Sequence, residues 1–217
     1  MKTIPLLAVA FALLLCGILH AADPFLPEES LNIGEVKHQG SVAFDGTIHR
    51  LNGSGAEIYG PEDSFFFTLR DMPKDATITA RFVEGLQFVD PWAKAGLMIR
   101  AGREPGAPNV FFGLTSQNGL VLQNRDVDGA DTAMRQPTGG EAMAELNKGV
   151  WLRLSRQGDH LVASKSADGQ TWEEFGALAN VQLGDAALFG LAMSAHDENQ
   201  QFGFATFDNV AIVEGTP

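Results

Sequence analysis

The feature that most restricts this chain is a period of two. Apolar residues alternate with polar or small ones through segments 95–100, 109–114, 119–124, 150–155, 160–165, 188–193 and 204–210, and segments 41–44, 49–52, 65–69 and 76–83 read the same way. Each segment is short and is bounded by Gly, Pro, Asn or Asp. Such alternation sends successive side chains to opposite faces of a strand, and the bounding residues are those that turns require. About eleven short strands at near-regular spacing predict an all-β fold, a β-sandwich of antiparallel sheets. Only 140–146 has a helical composition, and it is too short and poorly capped to found an element on. There is no internal repeat and no low-complexity linker, so one domain is expected.

The amino terminus stands outside this pattern. Lys2 is followed by an uncharged, almost wholly apolar run from Ile4 to Leu19, then by the small residues Ala21 and Ala22 before Asp23. This is the layout of a secretory signal peptide, with cleavage open after either alanine. The run is shorter than the ~20 residues of a spanning helix, and no later segment is apolar enough for one. Cys16 follows Leu15, where a lipoprotein signal wants a small residue. The expected organisation is a signal peptide over 1–22, a lead-in over 23–32 and a single sandwich over 33–217. The product is expected to be secreted or periplasmic, with no integral membrane segment.

Removing the leader sharpens the charge balance. The full chain carries 15 Lys and Arg against 27 Asp and Glu, and loss of Lys2 takes its formal charge of -12 to -13. It also removes the single cysteine, which excludes thiol catalysis, cysteine-ligated zinc and disulfides, so packing must hold the domain. The acidity argues against nucleic acid, whose binding rests on neutralising phosphates with Lys and Arg.

Four ordered segments carry a family resemblance: Gly53-Ser-Gly-Ala-Glu-Ile-Tyr-Gly60, Asp90-Pro-Trp-Ala-Lys-Ala-Gly-Leu-Met-Ile-Arg100, Ser166-Ala-Asp-Gly-Gln-Thr-Trp172 and Ala205-Thr-Phe-Asp-Asn-Val210. Together they resemble secreted bacterial domains of the DUF1349 or concanavalin A-like lectin/glucanase type, over nearly the whole mature chain. The resemblance implies a jelly-roll sandwich, concanavalin A-like or laminin G-like, with one concave sheet. It implies no single activity, because that fold carries lectins, binding modules, hydrolases and structural domains.

Hydrolytic chemistry finds little to use. A glycosidase normally needs two carboxyl groups ~5 to ~9.5 Å apart. Glucanases of this fold set them at alternate positions of one strand, and no such strand exists here; Glu57, Asp90, Glu104, Asp126, Asp128, Asp168 and Asp208 nearly all fall in predicted turns. There is no nucleophile elbow, and His38, His49, His160 and His196 have neither triad nor metal spacing. The segment 166–172 resembles the Asp-box of sialidases with one residue deleted, a structural hairpin turn. Asp208 is a candidate ligand for a structural calcium, and the acidic loop 126–131 is a weaker one.

The alternation supplies the functional clue. With Leu97, Ile99, Leu120, Leu122, Leu152 and Leu154 turned inward, Arg100, Gln123, Arg125 and Arg153 turn outward; His196 follows the same parity after Phe189, Leu191 and Met193. Trp92 stands in the loop before Arg100. Trp92, Arg100, Gln123, Arg125, Arg153 and His196 are therefore expected to share one sheet face as a ligand site. Planar donors that grip hydroxyl or acid groups, beside an aromatic that stacks on a ring, suit carbohydrate, an acidic or sulfated glycan included. The competing readings are a structural face whose arginines pair with carboxylates, in a structural or protein-interaction domain of the envelope, and a glycoside hydrolase with dispersed carboxylates.

Overall fold

The computed structural model describes residues 25–73, 75–86, 90–135, 149–197 and 202–215. The expected signal peptide and segment 140–146 lie outside the described residues. The described chain is all β: β1 (Glu29–Ile33), β2 (Ser41–Phe44), β3 (Ile48–Gly53), β4 (Phe65–Pro73), β5 (Ala76–Gly85), β6 (Lys94–Arg100), β7 (Asn109–Thr115), β8 (Leu120–Arg125), β9 (Ala133–Arg135), β10 (Val150–Gln157), β11 (His160–Ser166), β12 (Glu173–Ala179), β13 (Ala186–Ser194) and β14 (Gly203–Glu214).

Two seven-stranded sheets form. The first has the order β1-β4-β13-β6-β7-β8-β9, the second β12-β11-β10-β5-β14-β3-β2. Neighbours pair antiparallel throughout. Every segment expected from the alternation lies in a strand; β1, β9 and β12 were not expected. All three are sheet edges, and β9 is exposed at every position. An edge strand needs no unbroken apolar stripe and is protected by polarity, so the signal that finds central strands is weak there. Glu29–Ile33, which begins in the expected lead-in and ends at the first residue of the expected sandwich, pairs with β4 from Glu29↔Leu69 to Ile33↔Phe65.

The main core lies between the sheets. Phe66, Leu97, Ile99, Phe112, Phe189 and Leu191 come from the first sheet, and Ile78, Phe82, Leu152, Leu154 and Phe207 from the second. Phe82 and Phe207 meet edge-on at 5.6 Å. A second apolar layer covers the outer face of the first sheet: Phe65, Phe67, Leu69, Met98, Phe111, Val121, Leu188 and Ala192, closed by Ile58 from the β3–β4 connection. The two sheets therefore differ. Every residue of β6, β7 and β8 is buried, whereas β10 alternates between buried and half-buried. A strand covered on both sides reads as a near-continuous apolar run, and one wetted on a single side alternates.

Candidate functional site

Register places the outward residues of the first sheet in rows. Arg100 faces Asn109 and Asn109 faces Arg125; Met98 faces Phe111 and Phe111 faces Gln123; Gly96 faces Gly113; Lys94 faces Thr115. The face thus has an arginine end and a lysine end, separated by apolar side chains.

At the arginine end, Arg100 and Arg125 are fully buried around Asp63. The Arg125 guanidinium donates to both carboxylate oxygens at 2.8 and 2.7 Å, Arg100 donates at 2.5 Å, and the Asn109 amide at 3.1 Å. Other guanidinium donors reach backbone carbonyls of the surrounding loops, Arg125 those of Gly60, Pro105 and Ala130 and Arg100 those of Glu104 and Pro105, while Arg100 Nε is left without a partner. Burial lowers the Arg100 pKa, and Asp63 opposes the shift. The expectation that these two arginines face a ligand meets a correction in their placement: the loops cover them, and they staple the β3–β4 connection to the sheet.

That connection carries the wall of the second end. Glu57 and Tyr59, four and six residues after Gly53, join Trp92, Lys94, Gln123, Met134 and His196 around a pocket of ≈ 290 Å³. The connection is anchored at Asp63, by paired backbone bonds between Glu57 and Ser64, and by Ser194, whose hydroxyl donates to the Gly55 carbonyl at 3.2 Å. Gly55 has φ +116°, and a Cβ there would lie 2.1 Å from the Ser64 carbonyl oxygen, so only glycine permits this approach.

The pocket charges are interlocked. The Glu57 carboxylate accepts from the buried Lys94 ammonium, from His196 Nε2 at 2.5 Å and from the Ile58 backbone N–H at 2.9 Å. The other ring nitrogen of His196, Nδ1, lies 2.8 Å from Asp90. Asp90 also accepts from the Trp92 backbone N–H at 2.8 Å, which fixes the start of the turn bearing the indole. Burial pushes the Lys94 ammonium down and Glu57 opposes it. His196 holds φ +50°, a sparsely populated conformation for a residue with a side chain, costing ~1–3 kcal/mol.

One group has no such partner. Gln123 is fully buried, and neither Oε1 nor Nε2 makes a hydrogen bond; among the described residues no other side chain has both its polar atoms orphaned in this way. Each orphaned atom costs ~1–3 kcal/mol against a satisfied one. Its cross-strand neighbours are Phe111 and Met134.

Of the six residues expected on one face, Trp92, Arg100, Gln123, Arg125 and His196 belong to the first sheet or its loops, and Trp92, Gln123 and His196 meet in the pocket. Arg153 does not join them. It lies on β10 of the second sheet, where its guanidinium stacks on Trp172 at 3.7 Å from the ring centroid. Alternation assigns a side chain to a face of its own sheet and cannot say which sheet the strand enters. Trp151 is half-buried on the outer face of that same sheet, with Arg81 over its ring at 6.0 Å. Asp208, the candidate calcium ligand, accepts from Arg81 through both oxygens, so its charge is balanced by a guanidinium. Among the described residues no three His, Cys, Asp or Glu side chains are grouped as metal ligands. Segment 166–172 forms a tight turn: Asp168 Oδ1 accepts from the Gln170 and Thr171 backbones at 2.8 Å each, and Gly169 has φ +74°. These bonds lower the Asp168 pKa to about 2.

Sequence reasoning considered Glu57 and Asp90 only as catalytic carboxylates and passed over Tyr59, Lys94 and Met134. Lys94 carried a usable signal, since it has the parity of Met98 and Arg100 on one strand. Tyr59 and Met134 carried none, because a loop and a three-residue edge strand bring them in.

The architecture is a concanavalin A-like jelly-roll sandwich. No protein-family model matches the chain, and no curated protein matches it in sequence. Among solved structures it is similar to a functionally unknown protein from Saccharomyces cerevisiae, with 17% identity over 87% of this chain and 97% of that one and a TM-score of 0.62. It is also similar to the alginate lyase from Klebsiella pneumoniae, with 10% identity over 80% of this chain and 83% of that one and a TM-score of 0.51. A xylan beta-1,4-xylosidase from Bacillus halodurans shows 12% identity over 88% of this chain and a TM-score of 0.53, this chain spanning 41% of the enzyme. At such identities the likeness is one of fold.

Proposed function

We propose that this protein is a non-catalytic carbohydrate-binding sandwich whose site is the pocket between Trp92, Tyr59, Lys94, Gln123 and His196. The observation that carries the reading is the composition of that pocket: two aromatic side chains and several polar groups line the same ≈ 290 Å³. Small-ligand sites are mostly apolar concavities of ~300–1,000 Å³ with a few placed polar groups, and this one lies at the lower limit. A sugar ring or two fits; a long chain held along its length does not. Glycan-active proteins among the structural neighbours lend general support.

Binding is favoured over hydrolysis by the state of the carboxylates. Glu57 is engaged by Lys94, His196 and the Ile58 backbone N–H, and Asp90 through Oδ1 by His196 and the Trp92 backbone N–H, so both carboxylates are tied into the pocket wall instead of standing as an opposed acid and base across a substrate. The secreted or periplasmic location expected from the sequence fits a glycan ligand.

Titration calorimetry against a glycan panel tests the reading. At least one member should bind, and Trp92→Ala should weaken it by about tenfold or more, ~1.4 kcal/mol. A panel without a binder, or binding indifferent to Trp92→Ala and Tyr59→Ala, overturns it.

A further inference from the structure

We infer that the pocket selects a neutral sugar through adjacent hydroxyl groups that pair with both ends of the Gln123 amide; this inference rests on the carbohydrate reading above. The amide is fully buried, lines the pocket and leaves one donor group and one acceptor unpartnered. Its neighbours across the strands, Phe111 and Met134, offer it nothing. A ligand reaching it must bring an acceptor for Nε2 and a donor for Oε1, side by side.

Three sugar substituents can be compared on that requirement. A carboxylate or sulfate group brings acceptors alone, so one oxygen would face Oε1 lone pair to lone pair. An acetamido group has both donor and acceptor, but its trans amide points them in opposite directions, so one side of it cannot satisfy both ends of a primary amide. Two vicinal hydroxyls each donate and accept and lie next to one another on the ring. They alone complete the pair. The electrostatics agree: the Lys94 ammonium is held by Glu57 and the His196 ring lies between Glu57 and Asp90, so the site shows no unbalanced positive charge for an acid. The arginines that would have favoured an acidic glycan are committed elsewhere, Arg100 and Arg125 to Asp63 and Arg153 to the far sheet.

The unpartnered amide gives a stability signature that a structural glutamine would not. Met is unbranched, of similar size and without strong hydrogen-bonding groups. Gln123→Met should therefore leave the melting temperature of the free protein unchanged or higher, because it removes orphaned polar atoms from an apolar surround. The same change should weaken sugar binding about thirtyfold, the worth of two ordinary hydrogen bonds. The binding arm uses methyl glycosides of glucose, galactose, mannose and xylose, with the matching uronic acids, 2-acetamido sugars and monodeoxy analogues. The glycoside that binds should lose about fivefold or more on removal of one hydroxyl of the paired diol. Its uronic acid should bind no better.

A uronic acid or acetamido sugar preferred over its neutral parent overturns the inference, as does a Gln123→Met protein that keeps its affinity or melts several degrees lower. In each of those cases the carbohydrate reading survives provided Trp92→Ala still weakens binding. If no glycoside in the set or on the wider panel binds, both fall together.

Discussion

The outer faces of the two sheets are built from the same kind of residue and come to opposite ends. On the first sheet, Arg100 and Arg125 project from β6 and β8, and loops close over them until both guanidinia and Asp63 are wholly buried. On the second sheet, Arg81 and Arg153 project from β5 and β10 into a layer that no apolar loop covers among the described residues, one paired with the largely buried Asp208 and one laid on Trp172. In both cases the strand geometry sends the arginine to the face opposite the core. What differs is the cover: the connection between β3 and β4, far from these strands in sequence, is long enough, and apolar enough at Ile58, to fold over the first sheet. An outward arginine is therefore a ligand group, a loop staple or a solvated surface residue according to what the rest of the chain lays above it.

The sharpest way to break this comparison is to remove the acid on each side. Asp63→Ala leaves two buried guanidinia without a counter-charge, and loss of one partner from a buried pair typically costs ~3–5 kcal/mol. For a domain of this size that is about 6–20 °C in melting temperature. Because the same acid anchors the connection bearing Glu57 and Tyr59, any glycan affinity should vanish with it. A thermal melt that moves by less than about 3 °C would show that the arginine end does not staple the loops.

On the open sheet the matching change should do far less. Asp208→Asn removes a pair whose arginine is 39% exposed, and such pairs are worth ~1 kcal/mol at most. Its signature is in the pH dependence. Burial pushes the Asp208 carboxyl up, but the bonds from Arg81 and Asn209 outweigh it and the net shift is down. A carboxyl lowered in the folded state adds stability that is present above its unfolded pKa of ~3.9 and is lost as pH falls through the lower folded value. Asp208→Asn should thus lower the melting temperature slightly at pH 7 and flatten its fall below about pH 4. Unchanged steepness in that window would remove Asp208 from the acid transition.

How much of this was legible in the sequence follows from where each signal originates. Period-two alternation reports local geometry, so central strands such as β6, β7 and β10, and the outward parity of Arg100, Gln123 and Arg125, could be read directly. Sheet membership is a long-range property: Arg153 has the same parity as Arg100, yet β10 pairs with β5 and β11 and never with β6. Burial of a face by a distant loop is equally invisible, which is why Asp63, in an unremarkable turn, could not be matched with its two arginines. The chain did leave one hint. β6 and β7 are apolar or small at nearly every position rather than alternating cleanly, the mark of strands covered on both sides.

The smallest expected effect is the most informative about the open face. Arg153→Ala removes a guanidinium from the Trp172 ring, a contact worth ~0.5–1 kcal/mol where water has access. The melting temperature should drop by about 1–4 °C. Glycan affinity should not change, since Arg153 and the pocket lie on different sheets. Should Arg153→Ala weaken glycan binding as strongly as Trp92→Ala, the open sheet would be part of the ligand surface. The two faces would then differ in how they are covered and not in what they do.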